Sequence, residues 1–517
     1  MSDTDDSTAE ENKKPMSKSE IIEKLRGENC LFKDQEGVGH LAVGGKGAMV
    51  FPTSSRECAK FIRNWLVKHE GRYDINRNTV EEIQAIIDCI AEIDGETIPL
   101  NVRVAREDDS RGLPSKVWYD LKDGQYATEV DSEGWRIVPA PIKFRCYKHL
   151  HPQARPMKHN SRSLEVLRSL MPNLSNDDWL VFQVFLVSAF IPNYPRPTVL
   201  VDGPNGSGKT SFLKLVSSLI DPSGLSSGIS MIRSPEELKR VASQSYVLFF
   251  DNVSRIGGET SDALATLSTG GATVCRTLYT TGDSSIYSDI YRTVLINGIP
   301  KVATRADLLD RSLSFSLKRL KPSERRSQAE LDNYLNEHKS EILGSVCNIL
   351  SDTLGKLGKV KIKGKPPRLV DFSEIGYCVA ESIEDYNGSM FLEAYKKMRE
   401  KSDQFAIDAS PVAQAVQYML SFTDEWSGTP YELWSLTIKD GHEITQEEMQ
   451  LRQELRSNPY FPKSPATLSK ELIRSEAVLA SVGIDIEATK DGKSIWKNGR
   501  RTITLRKHSD KQDHKSS

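Results

Sequence analysis

Residues 198–211 read Thr-Val-Leu-Val-Asp-Gly-Pro-Asn-Gly-Ser-Gly-Lys-Thr-Ser, and the fold of the chain turns on this stretch. Thr198-Val-Leu-Val has the β-branched, apolar character of a strand. Ser211-Phe-Leu-Lys-Leu-Val continues with helical periodicity. Between them Gly203, Pro204, Asn205, Gly206, Ser207, Gly208, Lys209 and Thr210 fit the spacing G-x-x-x-x-G-K-[ST] of a phosphate-binding P-loop. Glycines let backbone amides approach a polyphosphate closely, and the amino terminus of the next helix adds a favourable dipole. Lys209 is expected to reach the β- and γ-phosphates and Thr210 to ligate Mg²⁺, with Ser211 completing the cradle. The pattern implies binding of ATP, or a related nucleotide, together with Mg²⁺.

The chain downstream supplies the other parts of such a site. Tyr246-Val-Leu-Phe-Phe is a strand ending at Asp251, a second expected Mg²⁺ ligand. Asn252 follows; an amide is no general base at neutral pH, but it can orient water by hydrogen bonding. A third strand, Arg292-Thr-Val-Leu-Ile, ends at Asn297-Gly. A polar residue there is expected between the first two motifs, at the carboxyl edge where such sheets bind ligands. Asn297 is thus a sensor of the γ-phosphate, with a plain Asn-Gly turn as the alternative. In Thr304-Arg-Ala-Asp-Leu-Leu-Asp-Arg, helical spacing projects Arg311 from the far side of the core. That suits an arginine finger offered to a neighbouring subunit; a surface ion pair with Asp307 or Asp310 is the alternative.

With the loop, Asp251-Asn252, Asn297-Gly and Arg305 to Arg311 in this order, the core resembles the AAA+ ATPases of the superfamily 3 helicase type. More narrowly it resembles the primase-helicase-like replication ATPases of phages, plasmids and integrated elements. The likeness is densest from Leu200 to Leu317, with thinner matches at Gly134-Trp-Arg-Ile-Val, Phe461-Pro-Lys-Ser-Pro and Leu468-Ser. The resemblance implies a hexameric ring that hydrolyses ATP between subunits while gripping DNA in its pore. It gives Lys209, Thr210, Asp251, Asn297 and Arg311 the roles above, and an Asp-Asn pair in the second motif also occurs in this group. It further implies that the hairpin-like insertion from Cys275 to Ile290 points into the pore, where Arg276, Tyr279 and Tyr287 suit phosphate contact and base stacking. The turn of that insertion carries Asp283 in place of a lysine, and an ordinary structural hairpin is the alternative.

Outside the core, the 517 residues suffice for about three domains and carry 69 Lys and Arg against 71 Asp and Glu. Global charge therefore says nothing about partners. The first 20 residues are polar and acidic, so no secretory signal is expected. The longest apolar run, Trp179 to Ile191, is too short to span a membrane. Seven scattered cysteines without a CxxC pair argue against zinc modules and disulfides and point to a reducing, cytoplasmic setting. His149 and His151 read as a chance pair.

The pattern expected is an α/β protein in several parts. A tail (1–17) precedes an α+β amino-terminal region (18–155); then come a P-loop core with a mainly parallel sheet (160–320) and a helical segment (321–420). A winged-helix module (422–507) and a second tail (508–517) follow. Ser175 is expected to cap the buried helix running to Ile191. From Phe461 to Lys507 the net charge is about +5, against −2 for the chain. There a capped helix exposes Lys463, Lys470 and Arg474, and two strands flank a basic loop with Lys493, Lys497, Arg500 and Arg501. Helix, helix and basic hairpin spell a winged helix that meets nucleic acid.

Taken together these features imply an ATP-driven DNA helicase, ring-forming and by the resemblance homo-hexameric, acting on single-stranded or forked DNA in the replication of a mobile element or virus. A primase or polymerase is a natural partner. The alternative is a nucleotide-gated DNA-binding regulator that uses ATP as a switch. A small-molecule phosphotransferase is poorly supported, and the amino-terminal region shows no primase signature.

Overall fold

The computed structural model describes residues 16–507 apart from 45–48, 72, 74, 230–233, 254–255, 271, 277–284, 299–305, 361, 363–368, 422, 439–452, 454–456, 459–460, 491–492 and 498–499. The two terminal tails expected from the sequence fall almost wholly outside these residues. Ser17, at the inner end of the first, caps the first helix through a reciprocal bond with Glu20.

The amino-terminal part packs α1 (Lys18–Glu28), α2 (Arg56–Glu70) and α3 (Arg77–Ile93) on a small sheet of β1 (Cys30–Lys33), β2 (Gly39–Val43), β3 (Met49–Pro52) and β4 (Glu96–Thr97). Ile21, Leu25, Ile62, Trp65, Ile83 and Ile87 form its core. The isoleucine stripe of α3 is only partly used: Ile86 and Ile93 are exposed.

An antiparallel meander follows, β5 (Val104–Asp108), β6 (Pro114–Asp120), β7 (Tyr126–Asp131) and β8 (Gly134–Pro139), paired in sequence order. Its alternation sends Val104, Val117, Tyr119, Val130 and Trp135 into the main core of the protein. Trp118, Ala105 and Ala127 face the other way. The Pro/His/Arg stretch that follows is irregular backbone, but it is pinned. Gln153 donates to the Tyr119 hydroxyl and to Leu219 O at 3.0 and 2.9 Å, and Asn348 donates to His159 O and Ser161 O at 2.8 Å.

After α4 (Glu165–Arg168), α5 (Asn176–Ser188) starts at the Ser175 cap and is buried on every side from Trp179 onward. It ends three residues before Ile191, and the chain turns there through Asn193 at φ 57°. Each of its buried aromatic side chains contributes about 1.5–3 kcal/mol. No helix among the described residues is long and apolar enough to cross a membrane.

The central sheet is parallel. β9 (Thr198–Asp202) leads through the glycine loop into α6 (Lys209–Ile220), then α7 (Pro235–Gln244), β10 (Val247–Val253) and α8 (Gly258–Thr269). A hairpin of β11 (Ala272–Arg276) and β12 (Ser285–Asp289) precedes β13 (Thr293–Gly298), α9 (Ala306–Asp310) and β14 (Ser312–Ser316). The strand order is β10-β13-β9-β14, all parallel. Both faces are buried, which explains the unbroken apolar runs in the sequence. Val247, Phe249 and Leu295 face the core shared with α5 and α6. Leu248, Phe250, Val294 and Ile296 face α7, α8 and α9.

The long helix α10 (Gln328–Lys356), with α11 (Val370–Ala380) and α12 (Gly388–Ala409), closes the main core against α5 and the meander. The carboxyl-terminal part has its own cluster, and α13 (Pro411–Ser421) belongs to it through Val412, Ala413, Val416 and Leu420. After β15 (Glu425–Gly428) and α14 (Pro430–Ile438) come helices Pro465–Arg474 and Glu476–Ser481, then β16 (Ile484–Glu487). Two short ladders, 489–490 with 493–494 and 496–497 with 500–501, lead to a final strand, Ile503–Lys507. That strand lies antiparallel between β15 and β16. β15, not anticipated from sequence, is a four-residue strand with little alternation to mark it.

Candidate functional site

The parallel pairing brings the carboxyl ends of β9, β10 and β13 to one edge, with β13 in the middle. β9 ends at Asp202, and the loop 203–208 passes into α6, whose amino terminus is Gly208 in the left-handed region (φ 81°). Gly203 sits at φ 143°, and a Cβ there would come within 2.5 Å of Leu317 O, so a larger residue would push the loop off the sheet. Lys209 donates to the Gly203 and Pro204 carbonyls at 2.8 and 3.3 Å. Among the described residues it makes no ion pair, so its charge lies over the loop.

Thr210 Oγ1 donates to Asp251 Oδ1 at 2.9 Å. Asn297 Nδ2 donates to Thr210 Oγ1 at 3.0 Å and also to Asp251 Oδ1. Three residues 41 and 46 positions apart in the chain thus meet in one hydrogen-bonded triangle beside the loop. Asp251 is aimed there by a β-bulge: the β10–β13 register shifts between Phe250 and Val253. Gly228 leaves the space it needs, since a Cβ there would lie 2.7 Å from that of Asp251. Asn252, next in the bulge, is exposed and left-handed at φ 54°, a conformation asparagine tolerates better than most residues.

Three polar atoms around the edge are buried without a hydrogen-bond partner: Asp202 Oδ1, Ser207 Oγ and Asn297 Oδ1. Burial pushes the Asp202 carboxyl above its usual range, against a hydrogen bond from Ser316 and the charge of Lys209. Buried polar groups are normally satisfied, and a polar ligand at this edge would supply what these three atoms lack. Hydroxyl, carboxylate and amide oxygens are hard donors, which suits a divalent cation such as Mg²⁺ carrying phosphate. The residues fit that group: Thr210 and Asp251 would hold the ion, and the loop amides with Lys209 the phosphates.

The segment after β14 wraps the loop. Leu317 N donates to Asp202 O at 2.9 Å, Leu320 approaches the Gly208 position, and Ser211 Oγ donates to Gln328 Oε1 at 3.0 Å. Asn173, in the turn before α5, donates to Ser207 O and to Lys318 O, both at 2.8 Å. Sequence reading missed Asn173 and Asp202. Neither has a periodicity or a motif position to mark it.

Arg311 lies at the opposite end of the sheet. Ser312 pairs with Thr198, and Ser316 pairs with Asp202. Four strand steps, about 13 Å, therefore separate Ser312 from the level of Asp202, and Arg311 lies one residue further still from its own loop. Arg311 Nη1 donates to Thr269 Oγ1 at 3.0 Å. Asp310 is bonded to Arg399, and the Asp307 side chain lies outside the described atoms.

Also at this amino end is a fully buried ion pair, Arg103 Nε to Asp221 Oδ1 at 2.7 Å. Arg103 further donates to the carbonyls of Asp120, His151 and Pro222. The other Asp221 oxygen accepts from Tyr246 N and Val247 N at 3.0 and 3.3 Å. Asp221 thereby ties the last turn of α6 to the first residues of β10, the far ends of the two elements that carry Thr210 and Asp251. His149 bonds to Gln244 O and Ser245 Oγ, a structural role. No group of three or more His, Cys, Asp or Glu suited to a metal ion occurs among the described residues.

The insertion between α8 and β13 is a two-stranded antiparallel hairpin, with Arg276 paired to Ser285 at the end next to the connecting residues 277–284. Tyr279 and Asp283 lie outside the described residues, and the side chains of Arg276 and Tyr287 are likewise not described. In the carboxyl-terminal part, helix Pro465–Arg474 is capped by Ser464, buries Leu468 and Leu472, and leaves Lys463, Lys470 and Arg474 exposed. Arg474 pairs with Glu471 one turn back. Arg500 is exposed, whereas Arg501 is half-buried with an unpartnered Nε. The Lys493 and Lys497 side chains are not described. The basic loop expected from the sequence is instead two short ladders that carry Lys493, Lys497, Arg500 and Arg501, and Arg474 and Arg501 are less available than expected.

Three solved structures cover 96% of this chain and 100% of their own. They are the A form apo structure of NrS-1 C terminal region-CTR (14% identity, TM-score 0.40), the apo structure of NrS-1 C terminal region 305–718 (14%, 0.38) and the A form of that same region (12%, 0.39). No curated protein sequence matches the chain. Residues 167–396 match the family described as actinomycete integrative conjugative element replication protein. Residues 412–516 match the C-terminal domain of that family's RepA protein. Both matches fall in chain order and together span more than half of the sequence, so this protein is a replication protein of the actinomycete integrative conjugative element type.

Proposed function

We propose that this protein is an ATP-driven motor on DNA, a ring-forming helicase that works in replication of its mobile element. The observation that carries the proposal is the Thr210–Asp251–Asn297 triangle beside the glycine loop. In this reading the loop is a P-loop: its amides and Lys209 bind the ATP phosphates, and Thr210 and Asp251 hold Mg²⁺. When bound, Mg²⁺ neutralises charge on the phosphates. Asn297 senses the γ-phosphate, its free Oδ1 and its bond to Asp251 making its position dependent on what fills the site. Asn252 positions water by hydrogen bonding, since it can take no proton.

The position of Arg311 at the far end of the sheet supports action on a neighbour's nucleotide, which requires a ring; the family resemblance makes it a homo-hexamer. The arrangement β15, Ile503–Lys507, β16 behind three helices supports a winged helix at the carboxyl end. Its exposed Lys463, Lys470 and Arg500, with Lys493, Lys497, Arg501 and Arg474, would meet single-stranded or forked DNA, and Arg276 and Tyr279 would do so in the pore. A primase or polymerase would be its working partner, in the cytoplasm.

The test is ATP hydrolysis and strand separation, each with and without DNA, beside Lys209→Ala. Hydrolysis that DNA stimulates and Lys209→Ala abolishes is expected. The second reading, a nucleotide-gated DNA-binding regulator, is favoured by Asn252, where an acid would activate water. It predicts ATP-dependent DNA binding, with turnover that DNA does not raise.

A further inference from the structure

We propose that Asn173 is a positioning residue of the phosphate loop. It sets the loop's peptide units for polyphosphate and locks them to the segment that follows β14. This rests on the nucleotide-binding reading above and deepens it.

Asn173 sits in a turn that has little freedom. Its neighbours Met171 and Leu174 are buried at 1% and 5% exposure in the main core. Arg168 lies over the Trp179 ring and donates to both Leu174 O and Asn176 Oδ1, bracing the turn from either side. The carboxamide of Asn173 is thus presented from a rigid support. A primary amide has two N–H donors on one nitrogen. Here that nitrogen meets two carbonyls from different segments, Ser207 O in the loop and Lys318 O beyond β14, both at 2.8 Å.

The bond to Ser207 O has a direct consequence for the loop. In a trans peptide the carbonyl and the following N–H point in opposite directions. Holding the Ser207 carbonyl toward Asn173 turns the Gly208 N–H to the opposite side of that peptide. Gly208 is the amino-terminal cap of α6, and backbone N–H groups at such a cap are the ones that meet an anion. The bond to Lys318 O completes a closed circuit. Lys318 follows Leu317, whose N–H is bonded to Asp202 O and whose carbonyl faces Gly203. Loop, β14 extension and the turn before α5 are therefore held as one unit through a single side chain. A loop set before the nucleotide arrives loses less conformational entropy on binding.

The experiment uses the full-length protein with ATP·Mg²⁺ and three variants: Asn173→Ala, Asn173→Asp and, as the loop control, Lys209→Ala. Asn173→Asp keeps the shape but replaces both donors with acceptors facing two carbonyls. Nucleotide affinity, KM and kcat for ATP, and thermal unfolding with and without nucleotide are measured. Asn173→Ala is expected to raise the Kd for ATP about tenfold, the effect of one or two hydrogen bonds. Asn173→Asp should weaken binding more. Both should lose most of the shift that ATP produces, a loss larger than any fall in the unfolding temperature of the unliganded protein. KM should rise more than kcat falls. A residue that merely supports the fold would instead lower the unliganded unfolding temperature and leave the nucleotide shift intact, which overturns the proposal. So would affinities within twofold of wild type for both variants. If the wild type itself binds no ATP, the nucleotide reading fails and this inference with it. If the wild type binds, Lys209→Ala does not, and Asn173→Asp binds normally, only the role of Asn173 is refuted.

Discussion

Each end of the central sheet holds a hydrogen-bonded carboxylate, buried at one end and half-buried at the other, and they are treated in opposite ways. At the amino end Asp221 is enclosed with Arg103, and its second oxygen is bonded to two backbone amides. At the carboxyl end Asp251 is bonded to a hydroxyl and a side-chain amide, while Lys209 is turned to loop carbonyls. The first arrangement is complete within the chain and serves to hold α6 and β10 in register. The second gathers a carboxylate, a lysine that makes no ion pair among the described residues, and three orphaned polar atoms in one place. The difference teaches that the first carboxylate joins two elements of the frame, whereas the second, under the function proposed above, is left for a ligand.

The largest expected effect comes from the residue that crosses this division. Arg311 sits at the amino end yet is proposed to serve the carboxyl end of a neighbour. Arg311→Ala should lower ATP turnover about 10³-fold or more with nucleotide affinity retained. Mixing it with Lys209→Ala subunits should restore part of the turnover, because each supplies what the other lacks. No recovery in the mixture, measured as DNA-stimulated ATPase, would remove the trans role.

Next in size, Arg103→Met leaves Asp221 buried without its cation and should cost about 3–5 kcal/mol in chemical denaturation. Asp251→Asn at the other end should change the stability of the unliganded protein by less than about 1 kcal/mol, but it should abolish the stabilisation by ATP·Mg²⁺. Equal destabilisation by the two substitutions would break the comparison.

A smaller effect belongs to Lys339 on α10, whose ammonium is pushed down to about 8 by burial and by the charge of Arg103. The unfolded chain holds that proton up to about pH 10.5, so between about pH 8 and 10.5 the unfolded state binds more protons and stability rises with pH. Below pH 8 the charged form carries its full cost. Lys339→Met should stabilise the protein at pH 7 by on the order of 2–3 kcal/mol and flatten the rise, as read from unfolding midpoints across that range.

The smallest effect is at the carboxyl-terminal surface. Reversing Arg500 and Arg501 to glutamate should weaken DNA binding and reduce the salt slope of the affinity by about one for each phosphate no longer neutralised. An unchanged isotherm at each salt concentration would place DNA elsewhere.

The sequence alone carried the central elements a long way. The glycine loop follows β9 and leads into α6, with Lys209 and Thr210 in its first turn. Asp251 and Asn297 lie near the carboxyl ends of their strands, although β10 runs on through its bulge to Val253. The meander and the capped helices at Ser175 and Ser464 are where their patterns put them. Those signals are local: a strand's period, a cap's hydrogen bond and a glycine spacing need only a few adjacent residues. What only the tertiary structure decided are the relations between distant segments. Parallel pairing through β13 converts three separate motifs into one triangle. The Arg103–Asp221 pair joins residues 118 positions apart, and Asn173 reaches Ser207 and Lys318 across the fold. A hydrogen bond of this kind depends on where two rigid elements are packed. No periodicity records that, so these contacts could be seen only once the core had brought their partners together.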